Sequence, residues 1–157
     1  MSKENTKDFN KQMKDRKDMP KIVEMNEAAA KKWGGKTMVI APPIDYDELM
    51  KKVPKGKLIT TDTLRKALAK KYQTDLCCPL TAGIFINLVA WASYQRKEEI
   101  TPYWRTLKSD GQLNMKYPEA IELQKRLLEE EGHTIMKKGT KNIKYYVKDF
   151  EKNLINL

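Results

Sequence analysis

Apolar positions along the chain fall into short periodic blocks separated by proline, glycine and charge. Residues 1–20 alternate charge signs with few apolar side chains, which predicts a solvated arm. Residues 22–33 read as a short helix stopped by Gly34 and Gly35, 37–40 as a strand, and Pro42-Pro43 as a break. Asp45 caps a helix carrying Leu49, Met50 and Val53 that ends at Pro54 and Gly56. A strand over 58–60 leads to a helix capped by Thr61 or Asp62, with Leu64 and Leu68 on one face and Arg65, Lys66, Lys70 and Lys71 on the others.

After a loop over 73–78, Pro79 opens a third helix in which Leu80, Ile84, Leu88 and Trp91 recur at helical spacing. It is apolar nearly all round, so most of it is predicted to be buried. Residues 100–107 read as extended, Ser109-Asp110-Gly111 as a turn, and a fourth helix runs from Pro118 to the stop at Gly132, with Ile121, Leu127 and Leu128 inward. Strands over 134–136 and 143–147 flank Lys137-Lys138-Gly139-Thr140-Lys141-Asn142, a hairpin with a cationic tip.

This order predicts an α+β, mainly helical fold: a winged-helix (helix-turn-helix) domain with a C-terminal β-hairpin. The expected organisation is a charged arm over 1–20, an extension over 21–43 that packs on the domain with Trp33 and Met38, Val39 and Ile40 as core, and the domain itself over 44–157.

Charge then narrows the function. The 157 residues carry 31 Lys+Arg against 21 Asp+Glu, a net +10, and such a surplus attracts polyanions. The 40% hydrophobic content is that of a globular chain. No apolar run reaches the roughly 20 residues of a bilayer span and no signal peptide is visible, so the expected location is the cytosol or nucleoid, with no membrane partner. Adjacent Cys77 and Cys78 are too close to pair, and with His133 as the single histidine there is no zinc spacing, so neither metal nor cofactor is expected. Cys78 precedes a helix, where a thiol can be activated, but Pro79 removes a donor from that helix start; a buried structural cysteine is the preferred account. From residues alone, Lys137, Lys138 and Lys141 are the candidate phosphate contacts.

Three segments carry a family resemblance. Val53-Pro54-Lys55-Gly56-Lys57-Leu58-Ile59-Thr60-Thr61 resembles the opening of the DNA-binding domain of alkylguanine-DNA alkyltransferases. Pro102-Tyr103-Trp104-Arg105-Thr106-Leu107-Lys108-Ser109-Asp110-Gly111-Gln112-Leu113 resembles its active-site segment, and residues 122–132 resemble its closing helix. Order and spacing agree over roughly 44–152, and the final hairpin with Asp149-Phe150 resembles the tail of the alkyltransferase-like proteins.

The resemblance implies a pocket for alkylated guanine built from Tyr103, Trp104, Arg105, Ser109 and Tyr117, and DNA contacts at Thr60, Thr61, Thr81, Lys108, Lys137, Lys138 and Lys141. Where the family reads Pro-Cys-His-Arg, this chain reads Pro102-Tyr103-Trp104-Arg105. A phenol of pKa about 10 is a poor nucleophile at neutral pH, and an indole N–H cannot accept a proton, so both catalytic roles are lost together. The resemblance therefore implies a non-catalytic protein of the alkyltransferase-like kind, which binds alkylated duplex DNA and flags it to a repair partner without removing the lesion. The family's base-turning tyrosine falls at Thr61, no arginine lies in 78–83 to fill the vacated stack, and the Gly-Gly after the pocket tyrosine has become Glu119-Ala120. A scaffold reused for protein or RNA contact, and a residual enzyme using Cys78, stay open as alternatives.

Overall fold

The computed structural model describes residues 7–157; residues 1–6 of the predicted arm lie outside it. Six α-helices and seven short strands form an α+β, mainly helical fold among the described residues. None of those helices is long and apolar enough to cross a membrane.

Part of the predicted arm is structured. Phe9–Lys14 is a helix, α1, capped by the Asp8 carboxylate, which accepts from the Lys11 N–H. Phe9 and Met13 stand one turn apart; Met13 is 1% exposed and the Phe9 ring lies 5.6 Å from that of Trp91. Two apolar side chains at i, i+4 suffice to anchor one turn of a highly charged segment. Arg16 reaches the buried Asp45 carboxylate at 3.9 Å, and Tyr72 and Lys71 also donate to it.

Residues 21–40 differ from the single helix expected at their start. Lys21–Glu24 is a strand, β1, and only Glu27–Trp33 is helical, α2, with Asn26 accepting from the Ala29 N–H and Gly34 closing the end at φ +81°. The β-branched pair Ile22-Val23 suits a strand, and β1 runs antiparallel to β2, Thr37–Ile40. On the other edge of β2 lies β4, Leu76–Cys77, in parallel register inside a segment predicted as loop. Val39 is core, whereas Trp33 is exposed, correcting its expected burial.

The remaining helices are α3 (Pro43–Met50), α4 (Thr61–Lys71), α5 (Pro79–Gln95) and α6 (Ala120–Glu130). A two-residue parallel pair, β3 (Ile59–Thr60) with β5 (Thr106–Leu107), ties the start of α4 to the segment leading to α6. The hairpin β6 (Ile135–Lys138) and β7 (Lys144–Val147) is in antiparallel register as predicted. One core gathers Tyr46, Met50, Ile59, Leu64, Leu68, Ile86 and Val89 between α3, α4 and α5; a second gathers Leu58, Leu107, Leu113, Ile121, Leu128 and Val147 beneath α6 and the hairpin. Trp104 packs against both.

The buried face of α5 is not the one expected. Ala82, Ile86, Val89, Ala90 and Ser93 face the core, while Leu80 and Ile84 are 73% and 56% exposed. A helix apolar on every side carries no periodic signal to choose its inward face, and here small residues let α5 lie close to its neighbours.

Candidate nucleic-acid interface

Pro102 leads into one turn of 3-10 helix over Tyr103–Arg105, which points three consecutive side chains in different directions. Tyr103 is 3% exposed, and its ring meets Trp104 and Tyr117 edge-on at 5.5 and 5.2 Å between centroids. Tyr117 is likewise buried, and its hydroxyl donates to the Thr106 carbonyl at 3.2 Å. These perpendicular contacts are the packing that aromatic quadrupoles favour. Tyr103 thus sits in a closed aromatic cluster.

Burial, with smaller contributions from Tyr94 and Glu119, pushes the Tyr103 phenol up to about 12. At pH 7 about one molecule in 100,000 then carries phenolate there. Trp104 donates its indole N–H to Glu131 at 3.0 Å, so it neither accepts a proton nor faces Tyr103 with a basic atom.

Arg105 is held on several sides. Its Nε and Nη2 donate to Glu131 at 2.9 and 2.7 Å, its Nη1 donates to the Val53 carbonyl at 2.7 Å, and its guanidinium lies 5.4 Å from the Trp104 ring centre. Burial alone raises the Glu131 carboxyl, but hydrogen bonds from Arg105, Trp104 and the Gly56 N–H outweigh it and hold the group below its ordinary range. Arg105 therefore staples the end of α6 to the turn before β3. Ser109 stands apart from this cluster on an exposed turn that Gly111 closes at φ +86°, with Phe150 packed so closely that a Cβ there would meet its ring at 2.4 Å.

The Glu119-Ala120 pair keeps a glycine-like backbone. Both residues lie in the left-handed region, at φ +58° and +53°, and lead into α6, while Glu119 accepts from the Tyr94 hydroxyl at 3.0 Å. Non-glycine residues there are strained by about 1 kcal/mol or more each.

A second locus lies across α5. A groove of about 550 Å³ runs between the first turns of α4 and α5 and the 108–116 loop. Its lining includes Thr61 and Arg65 from α4, Leu80 and Ile84 from α5, and Lys108, Met115 and Lys116 from the loop. Among the described residues no Asp or Glu lines it. Cys78 precedes α5 without a side-chain cap, so beyond Pro79, which has no N–H, the first amides of that helix, those of Leu80 and Thr81, lack a capping acceptor at one end of the groove. Thr81 lies half-buried in the first turn, its hydroxyl 3.4 Å from the Cys78 carbonyl.

The loop also connects to the hairpin. The Leu113 N–H donates to the Tyr145 carbonyl and the Val147 N–H to the Gly111 carbonyl, 2.9 and 3.0 Å. Lys137, Lys138 and Lys141 are exposed, Lys138 lying 4.9 Å from the Tyr146 ring centre. Thr60, expected at the DNA, is 3% exposed before α4, its hydroxyl paired with that of Thr63 at 3.1 Å.

Arg65, Lys116 and Met115 were not foreseen as groove residues, although Arg65 one turn after Thr61 was a readable signal. Glu131, the acceptor for both Trp104 and Arg105, has no sequence signature beyond its place near a helix end. Cys77 and Cys78 are both buried and unpaired. Burial raises the Cys77 thiol, which meets the Tyr46 hydroxyl at 3.1 Å. Among the described residues no cluster of His, Cys, Asp and Glu is grouped to hold a metal.

Among solved structures, the chain is similar to S. pombe Atl1 in complex with damaged DNA containing O6-carboxymethylguanine: 20% identity, 73% of this chain and 94% of that one covered, TM-score 0.50. S. pombe ATL in complex with DNA aligns at 21% identity over the same shares, with a TM-score of 0.49. No protein-family profile and no curated protein matches the chain. The likeness is one of fold: the α+β architecture is shared with that solved structure.

Proposed function

We propose that this chain is a non-catalytic, alkyltransferase-like DNA-binding protein that seats duplex DNA in the groove between the starts of α4 and α5 and the 108–116 loop. The observation that carries the reading is the groove itself: Arg65, Lys108 and Lys116 rim it, no carboxylate among the described residues lines it, and the uncapped start of α5 opens into it. The helix-turn-helix expectation puts α5 in the recognition position, with the β6–β7 hairpin as the wing and Lys137, Lys138 and Lys141 as its phosphate contacts. Atl1, which shares the fold, is complexed with damaged DNA.

Transfer of an alkyl group has no support at Tyr103, whose phenol is buried and raised to about 12. Sensing of alkylated guanine, with recruitment of a repair protein, is the finer part of the proposal. It requires the Tyr103–Trp104–Tyr117 cluster to open for a base, or the lesion to be read from outside it.

The test is binding to one duplex with and without a single O6-alkylguanine, across a salt series. The expected result is a log–log salt slope of about −0.9 per phosphate contacted. A flat salt dependence would remove DNA binding and favour a scaffold for protein contact; equal affinity for both duplexes would remove lesion sensing alone. Intact-mass measurement after incubation with alkylated DNA should show no added alkyl group, and a gain on Cys78 would overturn the non-catalytic reading.

A further inference from the structure

The polar side chains of the groove are ordered so that they donate rather than accept, and one backbone group sets that order. The Lys116 N–H can only donate, and it meets Asn114 Oδ1 at 2.9 Å, so the other end of the Asn114 amide is its NH2. Asn114 Nδ2 in turn donates to Asn87 Oδ1 at 2.9 Å, which engages the acceptor end of the Asn87 amide and leaves its NH2 pointing away. Among the described residues nothing accepts from Asn87 Nδ2, and the atom is not enclosed, so its two N–H groups open into the groove that Asn87 lines. Arg65, Lys108 and Lys116 add only donors, and Thr61 adds a hydroxyl that can donate. The helix leaves room beside this amide. Side chains on a helix lean toward its N-terminus, so Asn87 reaches over the turn that carries Gly83. Gly83 is exposed, and a Cβ there would meet nothing within 4 Å. Glycine weakens a helix interior relative to alanine, and no contact within the fold requires it here; close approach of another molecule to the backbone does.

Base pairs differ in what they present to such a site. In the major groove of duplex DNA every pair shows a donor, the amino group of adenine or of cytosine. In the minor groove A·T shows only the acceptors N3 and O2, whereas G·C adds the guanine N2 amino donor. Resting on the DNA reading above, we infer that Asn87 is a specificity-determining residue: its braced amide donates to adenine N3 or thymine O2 in the minor groove, so the chain prefers A·T pairs beneath the middle of α5. A guanine amino group at that place sets donor against donor and takes up the space that Gly83 leaves open. The cations around Asn87 reinforce the choice, because a narrow A·T minor groove carries the more negative potential. A protein surface mixes donors with acceptors and is the poorer match to a one-sided row of donors.

The experiment measures binding of the full chain to duplexes of one length whose central pairs are A·T, G·C or inosine·cytosine. Inosine lacks the N2 amino group, so its pair with cytosine has the minor-groove edge of A·T and the major-groove edge of G·C. Wild-type protein is expected to bind the A·T and inosine·cytosine duplexes alike, about 5- to 10-fold more tightly than G·C. This comparison needs no variant, so it stands even where a substitution disturbs the fold. Asn87→Ala should bring all three duplexes within about twofold of one another, with the log–log salt slope unchanged. Asn87→Asp, which keeps an acceptor for Asn114 and removes the donors, should lose the preference too. Gly83→Ala should keep or raise the melting temperature and yet weaken binding to every duplex by at least about threefold. No salt-dependent binding by wild type would sink the DNA reading itself. Four results overturn the role of Asn87 and leave DNA binding standing: equal affinity for A·T and G·C, inosine·cytosine behaving as G·C, an Asn87→Ala protein that keeps the preference, or Gly83→Ala binding like wild type.

Discussion

Replacing Glu131 by alanine removes one acceptor that four donors share: Nε and Nη2 of Arg105, the Trp104 indole and the Gly56 amide. The side chains of Arg105 and Glu131 are 13% and 7% exposed, so water cannot take over the carboxylate's role. Breaking one partner of a pair so enclosed costs about 3–5 kcal/mol, most of it from the guanidinium left behind. At about 2–4 °C per kcal/mol for a domain of this size, the melting temperature should fall by roughly 10 °C. Glu131→Gln keeps an acceptor for Trp104 and should cost about half as much.

The pH dependence gives the reasoning a second handle. The folded state holds the Glu131 carboxyl below its ordinary value near 4.5, so its ionised form stabilises the fold above that range and the contribution disappears as pH falls through the lowered folded value. The gap between wild type and Glu131→Ala should therefore be wide at pH 7 and narrow towards pH 3. Thermal unfolding followed by circular dichroism at both pH values measures it, and Arg105→Met, Glu131→Met and their combination form a double-mutant cycle that should recover at least about 1 kcal/mol of coupling. A drop below about 3 °C at pH 7, or a gap that does not change with pH, would refute the account of Arg105 as a buried staple.

Three further outcomes follow from the same geometry. Met13→Ala, in a segment that composition alone marks as solvated, should cost about 2–5 kcal/mol in chemical denaturation because the side chain is 1% exposed; a change under about 0.5 kcal/mol would show that α1 is not anchored there. Ala120→Gly should leave the melting temperature level or raise it, since φ +53° is glycine's conformation, whereas a loss of about 1 kcal/mol would mean that helix propensity governs the position. Lys137→Ala/Lys138→Ala/Lys141→Ala should weaken duplex binding alike across sequences and flatten the log–log salt slope by up to about 2.7, and an unchanged slope would take the hairpin out of the interface.

Elements whose pattern was unambiguous were legible in the sequence. In α4, Leu64 and Leu68 point inward among lysines, and in α6 Ile121 and Leu128 do the same. The hairpin was legible because its turn residues and its alternation agree. Elements defined by a tertiary partner were not. Strand β4 is two residues long and exists because β2 lies beside it, and β1 takes Ile22 and Val23 out of a stretch that reads equally well as helix. Helix α1 depends on Phe9 and Met13 finding α5, a contact no local window contains. The aromatic segment at Tyr103 was legible in the sequence, yet its closure by Tyr117 and the role of Glu131 required the fold.

The groove shows why a misread face is informative. Leu80 and Ile84 were expected inside because a helix apolar nearly all round is mostly buried, although its pattern does not choose the inward face. Burial instead went to Ala82, Ile86, Val89, Ala90 and Ser93, a face whose two alanines and serine let α5 pack closely. What remains outside is apolar surface at the one end of α5 where Arg65, Lys108 and Lys116 gather. Leaving a leucine in water forgoes about 1.5–3 kcal/mol of burial, so a side chain kept there without a packing role is best explained by something it meets outside the fold.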